Sequence, residues 1–333
     1  MDVKLSIIIP VYNAEKYIEE CLKSILPELD DEIEILLIDD GSKDTSYQII
    51  KKYESRNVRL FHHENKGVSH TRNIGIQNAK GNYILFVDAD DKLDTGWKNV
   101  ISNGYNSKED VIYYSLGFKG FESFNRINII YSIFGINDSN TKMNLSSPWS
   151  KLYKREFLLK NHIEFDDELI NGEDGIFNLS VILKSRNYTC NKASFYKYRI
   201  YMDSSSRKFN EKFFDSNLKY FSLAEKLLLE NDINDYDIKR CMSYAVTYST
   251  YLYLFLLSNL DSNRRNILVQ KIWKSKLYEY MKFYPCSKDC NIIVQSVYCL
   301  LKHKCFWGAQ KIMNIRNKVR NMHKKGNMKW EII

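Results

Sequence analysis

Four short apolar runs, each followed by a helical pattern, constrain the fold of this chain more than any other feature. "KLSIIIPVY" (4–12), "EIEILLID" (32–39), "VRLFHH" (58–63) and "YILFVD" (83–88) are nearly continuous in Ile, Leu, Val and Phe. Apolar runs without polar alternation are strands buried on both faces. Between them, "AEKYIEECLKSIL" (14–26) sets Tyr17, Ile18, Cys21, Leu22 and Ile25 at helical spacing, with Asn13 as the expected N-cap. "DTSYQIIKKYES" (44–55) reads as a helix capped by Asp44, and "GVSHTRNIGIQNAKG" (67–81) as one closed by Gly81. Strands and helices alternating over short connections form a parallel sheet covered on both faces, in which ligands lie beyond the carboxyl ends of the strands.

The polar residues collect at those ends: Pro10 to Asn13, Asp39 to Ser42, His62 to Asn65, and Asp88, Ala89, Asp90 and Asp91. The last group sets three carboxylates in four positions at the end of a buried strand. Like charges about 4 Å apart repel by roughly 1–4 kcal/mol per pair, depending on the local dielectric. A hard divalent cation is the natural counter-charge. The first turn, "PVYNAEKY", lacks glycine, so the G-x-G-x-x-G cradle of a dinucleotide-dependent dehydrogenase is absent and hydride transfer is set aside. A sugar-nucleotide pyrophosphorylase would need a Gly-rich basic loop at the same turn, which this sequence also lacks.

"SIIIPVYNAEKYIEECLKSIL", "EILLIDDGSKDTS", "NKGVSHTRNIGIQNAKGNYILFVDADD" and "NGEDGIF" occur in the order and spacing of family 2 glycosyltransferases, and over roughly residues 1–205 the chain resembles that family. The resemblance implies a GT-A fold, a Rossmann-like, mostly parallel α/β sheet with helices on both faces. It also implies a nucleotide-sugar donor, usually a UDP-sugar, and transfer with inversion. Pro10 and Tyr12 match the turn beside the nucleobase. Asp40 matches the carboxylate that accepts from the base N–H, and Asp39 is its neighbour. Arg72 matches a basic residue near base and phosphates. Asp88, Ala89 and Asp90 form the D-x-D element: Asp90 is expected to hold Mn²⁺ or Mg²⁺ directly, and Asp88 to reach the ribose or a metal-bound water. A cation there would stabilise charge growing on the departing diphosphate.

The acceptor side is expected after Asp91. Asp94 reads as the cap of a helix over about 95–104, "DVIYYSLGF" (110–118) as a strand, and 119–145 as irregular. In "SSPWSKLYKREFLLKN" (146–161), Trp149 offers a face to a sugar ring and Lys151 a cation toward phosphate. The resemblance makes Asp174 the general base, because inversion in one displacement needs a carboxylate to take the proton of the attacking hydroxyl. Glu173 would orient it or contact a sugar. Arg199, Ser204 and Arg207 are candidates to close over the diphosphate.

These readings divide the chain into a catalytic domain over 1–208, with a nucleotide-binding half (1–91) and an acceptor-binding half (92–208), and a helical region over 209–333. Helices are expected at about 209–230, 235–258, 263–283 and 289–321. Charge is distributed unevenly here. The chain carries a formal +8, yet Cys290–Trp330 alone holds nine Lys or Arg and no Asp or Glu, so the remainder carries −1. A basic amphipathic segment suits an anionic membrane surface, where lipid-linked glycan acceptors reside; no nucleic-acid module is present. No apolar run reaches the roughly 18 residues of a membrane span, and "MDVKLSIIIPVYN" is no signal peptide. The expectation is a cytoplasmic enzyme, peripheral on the inner face of the membrane, acting in bacterial surface polysaccharide, capsule or lipooligosaccharide synthesis. The rival non-enzymatic reading is a degenerate, membrane-bound nucleotide-binding scaffold.

Overall fold

The computed structural model describes residues 2–115, 125–136, 145–200, 210, 212–258, 260–322 and 329–332. Ten strands and thirteen α-helices follow in chain order within these residues. The first half holds β1 (Leu5–Val11), α1 (Ile18–Ile25), β2 (Ile33–Asp39), α2 (Ser46–Lys51), β3 (Val58–His62), α3 (Val68–Asn78), β4 (Tyr83–Phe86), β5 (Lys92–Leu93), α4 (Trp97–Tyr105), β6 (Val111–Tyr114) and α5 (Arg126–Phe134). Then come β7 (Lys151–Lys154), α6 (Arg155–Lys160), α7 (Glu173–Lys184), β8 (Tyr188–Asn191) and β9 (Tyr196–Ile200). The C-terminal region holds α8 (Phe213–Glu230), α9 (Asp235–Leu257), α10 (Ser262–Trp273), α11 (Lys276–Phe283), α12 (Ile292–Lys302), α13 (Phe306–Met322) and β10 (Lys329–Ile332).

Seven strands form one sheet in the order β3-β2-β1-β4-β7-β6-β8, with β7 antiparallel to both its neighbours and the other pairs parallel. A smaller antiparallel sheet, β10-β9-β5, stands beside it. This is the GT-A architecture that the resemblance implied. The sheet is buried on both sides, and its alternating side chains feed two cores. Ile7, Ile9, Ile35, Leu37 and Leu85 pack with α1 and with Trp97 and Ile101 of α4. Ile8, Leu36, Ile38, Ile84 and Phe86 join the other core, which runs without a break through α5, α7 and the C-terminal helices to Met313. The helical region thus shares a core with the catalytic sheet.

Several local expectations change. Asn13 does not cap α1: its backbone is left-handed, and its side chain accepts from Lys43 N at 2.8 Å, tying the loop after β1 to the loop after β2. Gly81 does not close α3, which ends at Asn78; it is needed because the chain passes so close to β1 that a Cβ would sit 2.5 Å from Ser6 N. Nor does Asp94 cap α4 with its side chain. The Glu28 carboxylate does so from another element, accepting from Gly96 N and Lys98 N. Helix α5, capped by Asn125, occupies part of the stretch expected to be irregular. Two long C-terminal helices are each broken in two. Ser275 caps α11, separating it from α10, and Lys304, with left-handed backbone, turns the chain between α12 and α13.

Candidate active site

The loops after β1 and β2 are zipped together. Asn13 N and Ala14 N donate to the hydroxyls of Ser42 and Ser46. Pro10 pairs with Ile38 at the ends of the two strands, and the Tyr12 side chain, 47% exposed, stands at the mouth. Asp39 and Asp40 are both buried. Asp40 is held by the loop after β3. Its Oδ1 accepts from Lys66 N at 2.7 Å, and its Oδ2 from Gly67 N and Asn65 Nδ2, both at 3.0 Å. It therefore organises the 65–67 turn that leads into α3. Asp39 Oδ2 contacts His62 Nδ1 at 2.8 Å, while its Oδ1 is buried without a hydrogen-bond partner.

The three carboxylates after β4 are sorted by environment. Asp91 is inward and almost fully buried; it accepts from Tyr196 Oη at 2.7 Å and Arg199 N at 2.8 Å. Burial, reinforced by the Asp88 carboxylate, pushes its carboxyl up to about 8. Tyr196 Oη also accepts from Asp88 N, so one phenol fixes both ends of the tetrad. Arg199 is buried too. Its Nε donates to Asp90 O at 2.6 Å and its guanidinium pairs with Glu20 while covering the Tyr17 ring. Arg199, expected over the diphosphate, braces the tetrad from behind in this structure. Asp88 and Asp90 face outward, half-buried, with the small Ala89 packed between them.

Arg72 joins the two halves of the crevice. It projects from α3 and is buried over the Phe165 ring. Its fork donates to Asp174 Oδ1 at 2.6 Å and to Asp88 Oδ1 at 3.1 Å, bridging residues 102 and 16 positions away. The Phe165 ring is stacked on Phe177, and both meet Phe86 edge-on, so an aromatic floor fixes the guanidinium plane. Such ring pairs contribute about 0.5–1.5 kcal/mol each beyond burial. Sequence reasoning put Arg72 beside base and phosphates and missed the bridge.

Asp174 and Glu173 open α7. Gly172 before them has φ +88°, and a Cβ there would meet the Tyr220 ring at 2.6 Å. One turn on, the buried Asn178 donates to Asp174 O and Ser146 O and accepts from Tyr153 Oη, locking the start of α7 to the 146–148 segment. Burial pushes the Asp174 carboxyl up to about 7; the Arg72 charge opposes this, and Glu173 and Asp88 add to it. Burial raises Glu173 as well. With 27% of its side chain still open, Asp174 is placed to accept a proton from an incoming group near neutral pH.

Trp149 is held by neighbouring rings, and Lys151 is placed otherwise than expected. The Trp149 indole stacks on Tyr196 and Tyr198, with centroids 5.2 and 5.6 Å away. Lys151 is buried, and its ammonium donates to the carbonyls of Ser147 and Trp149 and not toward the crevice. Desolvation lowers it to about 7. Ser204 and Arg207 lie outside the described residues. Among the described residues, no three His, Cys, Asp or Glu side chains converge on one point. A cation would thus find at most the hard oxygens of Asp88 and Asp90 here, and would need further oxygens from a ligand. The outward pair suits one: Asp88 shares Arg72 with Asp174, and Arg199 is paired with Glu20, so the two outward carboxylates are not fully answered by the cations behind them.

Fold and site define an open-sheet α/β protein with an acidic crevice at the carboxyl ends of its central strands. Residues 6–168 match the model of glycosyl transferase family 2. The glycosyltransferase GlyA of Streptococcus pneumoniae is 33% identical over 231 residues, covering 64% of this chain and 33% of GlyA. A poly(ribitol-phosphate) beta-glucosyltransferase of Bacillus spizizenii is 31% identical over 213 residues, covering 60% of this chain and 33% of that protein. The chain thus spans about a third of the length of these relatives. Among solved structures, residues 1–349 of S. aureus TarS in complex with UDP-GlcNAc superpose with a TM-score of 0.65 at 20% identity, covering 95% of this chain and 92% of that one. Residues 6–168 of the chain belong to glycosyl transferase family 2.

Proposed function

We propose that this chain is an inverting glycosyltransferase that moves a hexosyl or N-acetylhexosaminyl group from a UDP-sugar to a saccharide or lipid-linked glycan acceptor. The observation that carries the reading is the Arg72 fork. It sets Asp88, at the donor end of β4, and Asp174, a half-open carboxylate at the start of α7, within the span of one guanidinium. Mn²⁺ or Mg²⁺ held by Asp90 and Asp88 would supply Lewis-acid stabilisation of the leaving diphosphate. Tyr12 and the 39–42 and 65–67 turns border the nucleoside. Asp174 takes the proton of the acceptor hydroxyl as its oxygen bonds to the anomeric carbon. The anomeric bond to the diphosphate breaks in the same displacement, and the diphosphate leaves with the electron pair. An α-linked donor then gives a β-linked product. Trp149, stacked within the aromatic edge, shapes the acceptor side, while Lys151 holds the 147–149 backbone beneath it.

The acceptor class follows the relatives. The Bacillus protein is by name a poly(ribitol-phosphate) glucosyltransferase, which favours teichoic acid or another bacterial surface polysaccharide as the setting. Thermal unfolding with UDP, GDP or CDP, each with and without Mn²⁺, tests the donor. A ligand at about 100 times its Kd adds about 2.7 kcal/mol. UDP stabilisation that grows with Mn²⁺ and disappears in Asp90→Asn is expected. A preference for GDP or CDP overturns the donor, and silence toward all three overturns nucleotide-sugar binding altogether.

A further inference from the structure

We propose that the α12–α13 hairpin is a docking surface for an anionic lipid bilayer. On α13, Trp307, Lys311 and Ile315 recur every four residues, so they share one stripe. All three are exposed, Trp307 at 74% and Ile315 at 57%, and the Lys311 ammonium lies 5.2 Å above the Trp307 ring. The opposite stripe is already satisfied. Ala309 and Met313 are buried in the core, and the Arg316 guanidinium lies over Tyr251 and Phe255 of α9. The helix therefore has two apolar faces, and among the described residues only one is packed against a partner. At the start of α12, Ile292 and Ile293 are exposed as well. Lys304, in the turn between the helices, is also exposed.

Charge selects the occupant. From Cys290 to Trp330 there are nine Lys or Arg and no carboxylate side chain to repel an anionic headgroup layer. Apolar and aromatic anchors mixed with cations fit the headgroup–acyl boundary, where tryptophan concentrates. A water-soluble anionic polymer would match the cations and leave Trp307 and Ile315 in water. No helix among the described residues is long and apolar enough to cross a membrane, so the contact is shallow and in the interfacial plane. The surface stands independently of the proposed chemistry, but serves it: a transferase whose acceptor is lipid-linked gains from being held where that acceptor resides.

The test is co-sedimentation of the full chain with vesicles of phosphatidylcholine mixed with phosphatidylglycerol, against vesicles of phosphatidylcholine alone. The wild type is expected to pellet with the mixed vesicles only, and the Trp307→Glu/Ile315→Glu double variant to lose about tenfold or more in binding. Lys311→Glu, a milder surface change, keeps the test open should the double variant fold poorly, and it too is expected to bind less. Wild type that ignores anionic vesicles overturns the proposal. So does binding that salt abolishes but none of these substitutions alters, which would put an anionic polymer on the cations. UDP-dependent stabilisation measured on the same samples separates this outcome from a failure of the donor site.

Discussion

Replacing Arg72 by Met keeps the length of the side chain and its contact with the Phe165 ring but removes the charge that ties Asp88 to Asp174. Two effects follow, and both have a sign. For stability, removing one partner of a fully buried ion pair costs about 3–5 kcal/mol. Here the guanidinium is buried, but the carboxylates keep 29% and 27% of their side chains open to water. Part of the cost is recovered by hydration, which leaves about 2–3 kcal/mol, or roughly 3–4 °C in Tm for a chain of this size. For ionisation, Asp174 is already pushed up to about 7 by burial, with Arg72 the main opposing charge. An opposite charge at this range is worth about 4 kcal/mol at an effective dielectric of 20. Screening and relaxation reduce that to about 1.4–2.8 kcal/mol, or 1–2 pH units.

The base must be ionised to work, so activity is lost as pH falls through the Asp174 pKa. The acidic limb of kcat/KM, which reports the free enzyme, is therefore expected near 7 in the wild type and about 1–2 units higher in Arg72→Met. Arg72→Lys retains a charge but not the fork, and should fall between. In an Asp174→Asn background the Arg72→Met change should cost less stability than in the wild type, because one of its two partners is already neutral. A limb that stays in place, or moves to lower pH, refutes the claim that Arg72 sets the ionisation of Asp174.

Three further outcomes are expected. Asp174→Asn keeps the shape of the site and should lower kcat by about 10²–10⁴ while leaving UDP–Mn²⁺ stabilisation intact, read by pairing a transfer assay with thermal unfolding. Tyr196→Phe leaves Asp91 Oδ2 and Asp88 N without their shared phenol, and should cost about 1–3 kcal/mol in denaturant unfolding and weaken metal-dependent UDP binding. Unchanged UDP affinity would show that the tetrad does not need this brace. Gly172→Ala puts a Cβ into the Tyr220 ring at a positive φ and should destabilise by about 1–3 kcal/mol, as two costs: left-handed backbone and steric clash. Adding Tyr220→Ala should remove the clash part of that coupling in a double-mutant cycle.

The first four strands were legible because each is a short, nearly continuous apolar run, the pattern expected of strands in a covered parallel sheet. Helix ends were less so. Asn13 has the chemistry of an N-cap, but its side chain is claimed by the neighbouring loop, a competition between turns 30 residues apart. Glu28, which does cap α4, lies 68 residues from the nitrogen it accepts from, and no local pattern marks it. The site divides in the same way. The order of motifs, through the family resemblance, points to Asp88, Asp90 and Asp174 as candidates for one site. It does not show that Arg72 spans them, because that depends on how α3 packs on Phe165. Lys151 is the sharpest case: a lysine two positions after a tryptophan looks like an outward cation, yet it lies buried with two main-chain carbonyls as its partners.

The crowding of three carboxylates after β4 now has a physical account. They are adjacent in sequence but not equivalent in space. Asp91 points into the protein, where Tyr196 and the Arg199 main chain hold it, and its raised pKa lets it carry a proton at neutral pH, which removes one charge from the cluster. Asp88 shares Arg72 with Asp174, so its charge is half answered from the protein side. Asp90 contributes its carbonyl to Arg199, and that bond fixes the backbone from which its own carboxylate projects. On the proposed function, the repulsion that remains between Asp88 and Asp90 is what a diphosphate-bound cation relieves. The inward Asp91 is then the anchor that keeps the outward pair in register when no cation is bound. Asp91→Asn should accordingly weaken UDP binding with metal more than without it. A uniform loss in both conditions would mean that Asp91 only stabilises the fold.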